Sequence, residues 1–274
     1  MVTHQDARPK LDEVTAPSAR LRVLKNSPVS GPATSASTVE VTYRDINKKF
    51  GKNIVLSGLN LSLKTGNTIA ILGPNGSGKT TLIKSLLGMV LPDKGEILLH
   101  GQSIRNNWKY RQEIDYLPQI ANFPENLKVK ELLNMIKDLR GKTAKDAELI
   151  EFLKIGQYLN SKLGTLSGGT KQKVNLVLTF MFDSPLVILD EPTSGLDPIS
   201  LIRLKELIQK EKARGKTILI TSHIMNFVEE VSDELVFLLE GKIYFQGSIR
   251  ELKSTTREND LETAIANILL NNNA

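Results

Sequence analysis

The chain has 274 residues, 40% of them hydrophobic, a formal net charge of +6 and no cysteine. The absence of cysteine excludes disulfides, thiol catalysis and cysteine-based zinc sites. The best candidate for a membrane helix, Val174 to Phe182, has about half the required length and contains Asn175 and Thr179. The basic residues are scattered, which favours a mixed charged surface over a nucleic-acid-binding patch and makes nucleic acid an unlikely partner.

The N-terminal segment differs in composition from the rest of the chain. Residues 1–38 contain several prolines and a run of Ser, Ala and Thr, with little hydrophobic periodicity. Such a segment cannot bury enough apolar surface to offset the entropy lost on folding. We predict a disordered tail at residues 1–38.

The following segments read as strands that alternate with helices. Val39 to Tyr43 and Ile54 to Leu63 predict the first two strands. Further short apolar runs predict strands at Thr68 to Leu72, Glu96 to His100, Ile114 to Gln119, Leu186 to Asp190 and Thr217 to Thr221. Helical spacing predicts a helical insertion at about Val129 to Leu163 and a helix at Ile199 to Arg214. A hairpin over Leu235 to Phe245 and a short helical segment follow. This order indicates an α/β fold with a mostly parallel sheet covered on both faces.

A glycine-rich loop lies between the strand Thr68 to Leu72 and a helical pattern. It matches G-x-x-x-x-G-K-[ST], a phosphate-binding P-loop. Glycines let successive N–H groups point at an anion, and the next helix directs its positive dipole end there. Lys79 is expected to contact the β- and γ-phosphates, and Thr80 to ligate Mg²⁺. The predicted nucleotide-binding residues of this loop are Gly73, Pro74, Asn75, Gly76, Ser77, Gly78, Lys79, Thr80 and Thr81.

Two adjacent carboxylates, Asp190 and Glu191, end the predicted strand that begins at Leu186. Ligands of open α/β sheets bind at the carboxyl ends of the strands. We assign Asp190 to Mg²⁺ and Glu191 to polarising the attacking water as a general base. Without other motifs, two acids after a strand could simply interact favourably with the dipole of a following helix. The P-loop in the same chain favours a role in nucleotide hydrolysis instead.

A second Ser/Gly turn, Ser167-Gly168-Gly169, opens a predicted helix. Read alone, Ser167 is a helix N-cap with two glycines behind it. The start of this helix is also a second anion-binding end. Two such sites in one chain suggest a nucleotide held between them.

Six motifs in this order resemble the ATP-binding cassette of ABC transporters. The resemblance covers about Val39 to Gly247. Its motifs are Gly73 to Thr81, Tyr116 to Gln119, Leu166 to Gly169, Leu189 to Pro192, Ser194 to Pro198 and Thr221 to His223. It implies a P-loop NTPase fold with an N-terminal antiparallel β subdomain, an ATPase domain at 39–247 with a helical subdomain at about 125–180, and a short C-terminal helical tail at 248–274.

The resemblance also implies a head-to-tail homodimer with ATP and Mg²⁺ at its interface. Ser167, Gly168 and Gly169 would reach the γ-phosphate held by the opposite subunit, where Asp197 tunes the interface. Gln119 would contact Mg²⁺ or water and sense a membrane partner, and His223 would hold the γ-phosphate and water. Phe50 matches the aromatic that stacks on adenine, with Tyr43 as the alternative.

One position departs from the family pattern. The signature usually ends in Gln, where this chain has Thr170, so we expect function with an altered affinity between the subunits. The Thr-Lys-Gln-Lys sequence from Thr170 and the short C-terminus are most similar to single-cassette ATPases of ABC-2-type exporters, including the ATPase of the transporter that serves nitrous oxide reductase maturation.

The resemblance implies a polytopic membrane permease as partner and a peripheral position at the cytoplasmic face of the membrane. The alternative is an ABC ATPase acting on nucleic acid or ribosomes, which the +6 charge motivates. It is disfavoured because the chain lacks a second cassette, a long coiled coil and a zinc insertion.

Overall fold

A computed structural model describes residues 40–272, in which two β-sheets organise the fold. The predicted tail at residues 1–38 and Val39 of the first predicted strand lie outside the described residues. The first sheet is antiparallel throughout. Its order is β2 (Asn53–Leu63), β1 (Val41–Phe50), β4 (Lys94–Leu99) and β5 (Gln102–Ser103).

The second sheet is parallel except for the hairpin at one edge. Every residue of three adjacent inner strands, which start at Thr68, Leu186 and Thr217, is buried, as expected for a sheet covered on both faces. Its order is β10 (Lys242–Ser248), β9 (Glu234–Leu239), β3 (Thr68–Leu72), β8 (Thr217–Thr221), β7 (Leu186–Asp190) and β6 (Ile114–Leu117). The predicted fold class, an antiparallel N-terminal sheet with a mostly parallel core, is confirmed.

The first strand is longer than the sequence pattern predicted. β1 continues to Phe50, whereas the alternation ends at Tyr43. The pairing with β2 shifts register between Tyr43 and Ile46, and Asp45 has a φ of 48°. Such irregularities add a residue to one strand and reverse the side-chain alternation. The predicted end at Tyr43 was therefore wrong.

Helices cover both faces of the parallel sheet. Three of them, α2 to α4, lie between β6 and β7 in the chain; α2 and α3 fall within the predicted helical insertion at about Val129 to Leu163, and α4 follows it. The helices are α1 (Lys79–Leu86), α2 (Val129–Arg140), α3 (Asp146–Phe152), α4 (Gly168–Phe180), α5 (Pro198–Ala213), α6 (Met225–Val231), α7 (Ile249–Thr256) and α8 (Leu261–Asn272).

The C-terminal helices α7 and α8 pack against the central sheet. Leu252 of α7 and Leu261 of α8 share one hydrophobic cluster with Leu72 of β3 and Phe237 of β9. Burial of such side chains contributes about 1.5–3 kcal/mol each. The sheet that carries the P-loop thus depends on residues beyond position 247 for its cover.

The helical insertion is joined to the sheet by an ion pair. Arg140, at the end of α2, donates to Asp115 Oδ1 of β6 at 2.7 Å and to the Ile114 carbonyl at 3.0 Å. Asp115 is 1% exposed. Burial raises the pKa of this carboxyl, and the nearby Arg140 charge opposes the shift.

Candidate nucleotide-binding site

The P-loop connects buried β3 to α1 in a conformation that requires glycine. Gly73 has a φ of 153°, and a Cβ there would lie 2.0 Å from the Leu238 carbonyl oxygen of β9. Gly78 has a φ of 108°, and a Cβ there would lie 2.8 Å from the Val55 carbonyl oxygen of β2. The loop is therefore held closely between β2 and β9, with its amides ahead of the first turn of α1.

Lys79 lies folded over this loop. Its Nζ donates to the carbonyls of Gly73 at 2.7 Å and Pro74 at 3.1 Å. Burial lowers the pKa of Lys79, while the charges of Glu191 and Asp190 act in the opposite direction. The ammonium group thus lies against the carbonyls of the loop, from where it can reach a bound phosphate.

Asp190 ends β7 and is 4% exposed. It accepts a hydrogen bond of 2.5 Å from Thr221 Oγ1 of the neighbouring strand β8. Tyr116, on the neighbouring strand β6, lies near Asp190, and burial together with the Asp190 charge raises the pKa of Tyr116 to about 12. The neutral Thr221 donor holds this carboxylate in place.

Glu191 follows Asp190 in a left-handed backbone conformation with a φ of 50°, which is strained for a residue with a Cβ. Its N–H donates to the Thr221 carbonyl and to Thr221 Oγ1, both at 3.1 Å. Its Oε2 lies 2.8 Å from His223 Nδ1. The strained backbone therefore directs the carboxylate toward the exposed imidazole.

These groups meet in one pocket, here called the phosphate cleft. It is lined by Asn75, Gly76, Gly78, Lys79, Thr80, Thr81, Gln119, Asp190 and Glu191, together with Val55. The cleft brings together the residues predicted for phosphate, metal and water, and His223 reaches it through Glu191. Ser77 belongs to the same loop and is buried beneath it.

The oxygen donors of the cleft fit Mg²⁺. Thr80, Gln119 and Asp190 supply a hydroxyl, an amide oxygen and a carboxylate, which are hard ligands of the kind this cation prefers. Within residues 40–272 no group of three His, Cys, Asp or Glu side chains could hold a metal alone. That agrees with a cation bound through one carboxylate and the phosphates of a substrate.

The predicted second anion site lies on a different surface. Ser167 caps α4 by accepting from the Thr170 N–H at 3.3 Å. Gly169 packs so closely on the next loop that a Cβ would lie 2.6 Å from the Gly195 carbonyl oxygen. Ser167 and Gly168 are exposed and do not line the phosphate cleft.

Asp197 lies close to this turn. It caps α5 by accepting from the Ser200 N–H at 2.9 Å and hydroxyl at 2.7 Å. It also pairs with Lys173 of α4 at 2.9 Å. The Lys173 charge and the Ser200 donors hold the pKa of Asp197 well below its usual range. This pair joins the starts of α4 and α5.

The two aromatic candidates for adenine stacking differ in exposure. Phe50 ends β1 with 50% of its surface exposed, and Lys48 Nζ lies 5.2 Å from its ring centre. Tyr43 is 1% exposed and its hydroxyl donates to the Leu82 carbonyl. A buried ring cannot stack on a ligand, so Phe50 remains the candidate.

Sequence reasoning did not assign two residues that organise the cleft. Thr221 and Tyr116 lie within the motifs Thr221 to His223 and Tyr116 to Gln119, but their hydroxyls were given no role. The Thr221 hydroxyl donates to Asp190, and the charge of Asp190 helps to raise the pKa of Tyr116. The sequence signal that could have identified them is a hydroxyl-bearing residue in each of the two strands beside the strand that carries Asp190.

Comparison with known proteins gives the family. Residues 56–194 match the family described as ABC transporter. The chain belongs to the ABC transporter family. Nod factor export ATP-binding protein I of Burkholderia orbicola (strain AU 1054) is 37% identical over 218 residues, which are 77% of this chain and 72% of the relative.

Solved structures show the same ABC cassette fold. The structure titled "Structure of ATP binding subunit of ABC transporter" is 28% identical with a TM-score of 0.77, and covers 82% of this chain and 98% of its own. A dimeric post-hydrolysis state of the cassette MJ0796, bound to ADP and Pi, has a TM-score of 0.69 at 22% identity, over 77% of this chain and 99% of its own.

The predicted activity is confirmed: this ABC ATPase is the ATP-binding and hydrolysing subunit of a transporter. ABC cassettes dimerise and pair with membrane subunits. Within residues 40–272, none of the helices has the length and apolarity needed to cross a bilayer.

Proposed function

We propose that this ABC ATPase hydrolyses Mg²⁺–ATP as a head-to-tail homodimer and energises a separate polytopic membrane subunit of an ABC-2-type exporter. The observation that carries the proposal is the phosphate cleft, where the P-loop, Asp190 and Glu191 converge and Glu191 contacts His223 at 2.8 Å. The chain would lie peripherally at the cytoplasmic face of the membrane.

In the proposed reaction, water attacks the γ-phosphorus and the bond to the bridging oxygen of ADP breaks. Glu191 accepts the proton of the attacking water, and His223 orients both the carboxylate and the γ-phosphate. The P-loop amides and Lys79 hold the phosphates. Thr80, Gln119 and Asp190 would hold Mg²⁺, which when bound neutralises phosphate charge.

The dimer is supported by the separation of the two anion sites. Ser167 and Gly168 are exposed at the start of α4, outside the cleft of their own subunit. The dipole and free amides of this helix suit a phosphate presented from outside. A head-to-tail arrangement would place each α4 start opposite the partner's P-loop, with ATP between the subunits and Phe50 against adenine.

Export is supported by the name of the Burkholderia relative, which describes a Nod factor export ATP-binding protein. The ABC-2 type and the similarity to the ATPase serving nitrous oxide reductase maturation remain predictions from the Thr-Lys-Gln-Lys sequence. In such systems the membrane subunit contacts the cargo, so the partner decides what is transported.

The first test uses Glu191→Gln, which removes the proton acceptor and keeps the shape. The variant should bind ATP, accumulate a dimer and lose turnover. Glu240→Gln is the matched control, because Glu240 also has a left-handed backbone, with a φ of 48°, but is exposed and does not line the phosphate cleft. A Glu191→Gln chain that stays monomeric with ATP contradicts the homodimer.

The second test identifies the partner. The tagged chain is purified from detergent-solubilised native membranes and its companions are identified by mass spectrometry. A polytopic membrane protein should be recovered. Recovery only from the soluble fraction, with ribosomes or nucleic acid, would contradict the transporter assignment of the partner.

A further inference from the structure

The family departure at Thr170 creates a specific contact. We call Ser167 to Thr170 the signature turn. Thr170 is 9% exposed, and its Oγ1 lies 2.9 Å from Ser167 Oγ. The Thr170 N–H donates to the same Ser167 oxygen at 3.3 Å. Backbone and side chain of one residue therefore both engage the Ser167 hydroxyl.

The number of protons and lone pairs on the two hydroxyls determines how this contact can work. A serine hydroxyl has one proton to donate and two lone pairs that accept. The Thr170 amide occupies one lone pair of Ser167. If the Thr170 hydroxyl donates to the second lone pair of Ser167, the Ser167 proton points away from Thr170 and can be donated to another group. If Ser167 donates to Thr170 instead, it has no proton left for an anion.

A phosphate facing the signature turn selects between these two arrangements. Phosphate oxygens accept hydrogen bonds only, and Ser167 is exposed at the start of α4 where an anion is favoured. The arrangement in which Thr170 donates gives the anion a donor, and the reverse presents it with a lone pair. The anion therefore favours Thr170 as the donor.

We propose that Thr170 is a positioning residue that directs the Ser167 hydroxyl proton toward the γ-phosphate held by the opposite subunit. The inference rests on the proposed homodimer. Thr170 makes no contact with the nucleotide itself and acts through Ser167. The replacement of the usual glutamine by Thr170 therefore fixes the direction in which the Ser167 hydroxyl donates at the subunit interface.

The test uses the full-length chain with Glu191→Gln, in which ATP accumulates in the dimer. Thr170→Val keeps the shape and removes the hydroxyl. Sedimentation with Mg²⁺–ATP should show the dimer dissociation constant rise about tenfold, the size expected for a weakened bond to a charged group. ATP binding to the monomer should not change, because the P-loop lies on another surface. Thr170→Ser, which keeps the hydroxyl, should restore dimerisation.

Thr179→Val is the matched control. Thr179 is a buried threonine of the same helix, and its hydroxyl donates to the Asn175 carbonyl at 2.9 Å. This variant should lose comparable helix stability and keep the parent dissociation constant. A similar weakening in Thr179→Val would show that helix stability alone sets dimer affinity, and would overturn the role of Thr170.

A double variant separates action through Ser167 from direct action. Ser167→Ala with Thr170→Val should dimerise no more weakly than Ser167→Ala alone, and additive losses would overturn the proposal. If Thr170→Val does not fold by circular dichroism, Thr170→Cys, of similar size and a weak donor, replaces it. If Thr170→Val folds and its dimer dissociation constant is unchanged, only the role of Thr170 is overturned. If the Glu191→Gln parent never dimerises, the homodimer and this inference are overturned together.

Discussion

The Thr221 hydroxyl donates a hydrogen bond of 2.5 Å to Asp190 Oδ1. Thr221 Oγ1 also accepts a hydrogen bond from the Glu191 N–H at 3.1 Å. One buried side chain of β8 therefore fixes the proposed metal ligand and the backbone of the proposed general base. This contact links two functions of the phosphate cleft that the sequence presents only as neighbouring acids.

Thr221→Val should lower kcat for ATP hydrolysis by about ten- to a hundredfold, since a lost hydrogen bond to a charged group costs about 1.5–3 kcal/mol. Thr221→Ser, which keeps the hydroxyl, should restore most of the activity. Thr217→Val is the control in the same strand, because the buried Thr217 hydroxyl bonds only to the Gly66 N–H among the contacts described, far from the acids along β8. Equal losses in both valine variants would contradict the role of Thr221.

His223→Ala should lower kcat by about a hundredfold or more, because general acid–base and orienting groups contribute on this scale. ATP affinity should be retained, since the P-loop and Lys79 are unchanged. His100→Ala is a close control: His100 Nε2 lies 2.8 Å from Glu113 Oε2, a matching imidazole–carboxylate contact outside the cleft. Steady-state phosphate release measures both. Full activity in His223→Ala would remove it from the mechanism.

Asp197→Asn should destabilise the chain in a pH-dependent manner. The pKa of Asp197 is lowered by Lys173 and Ser200, so the ionised carboxylate stabilises the folded state above its ordinary pKa of about 3.9. That contribution is lost as the pH falls toward the lowered folded pKa. In urea unfolding, the difference between wild type and Asp197→Asn should be constant between about pH 5 and 8 and should shrink below about pH 4. A difference independent of pH would show that Lys173 does not stabilise the charge.

Arg140→Met should reduce the free energy of unfolding by about 3 kcal/mol, because it leaves the Asp115 carboxylate buried without its partner. Adding Asp115→Asn should recover part of the loss. Arg44→Met is the control at an exposed pair with Glu96, where a change below about 1 kcal/mol is expected. Chemical denaturation gives all values, and equal costs for both arginines would contradict the importance of burial.

The sequence predicted the order of the elements well, and the structure places the residues that it assigned to catalysis close together. The P-loop, Asp190 and His223 each lie at the carboxyl end of a strand that the sequence shows as an apolar run. Because parallel strands end on the same side of a sheet, the proximity of these residues could be predicted. The end of β1 could not be foreseen, because register shifts near Asp45 interrupt the alternation on which strand prediction depends.

Specific side-chain contacts also could not be predicted from the sequence. The bond between Thr170 and Ser167 depends on rotamers, and the packing of Leu252 and Leu261 on Phe237 depends on tertiary structure. A short amphipathic helix after the last strand has the same hydrophobic periodicity whether it is exposed to solvent or packs on a sheet. Local periodicity identifies such helices without giving their docking site.

At Glu191 the requirements of activity and of stability conflict, because the proposed general base has a strained left-handed backbone. A glycine there would relax the strained turn, at a gain of about 1 kcal/mol, and would eliminate the carboxylate that contacts His223. A laboratory population of this gene selected only for heat resistance should therefore accumulate inactive chains altered at this codon, whereas selection for transport should keep the less stable residue.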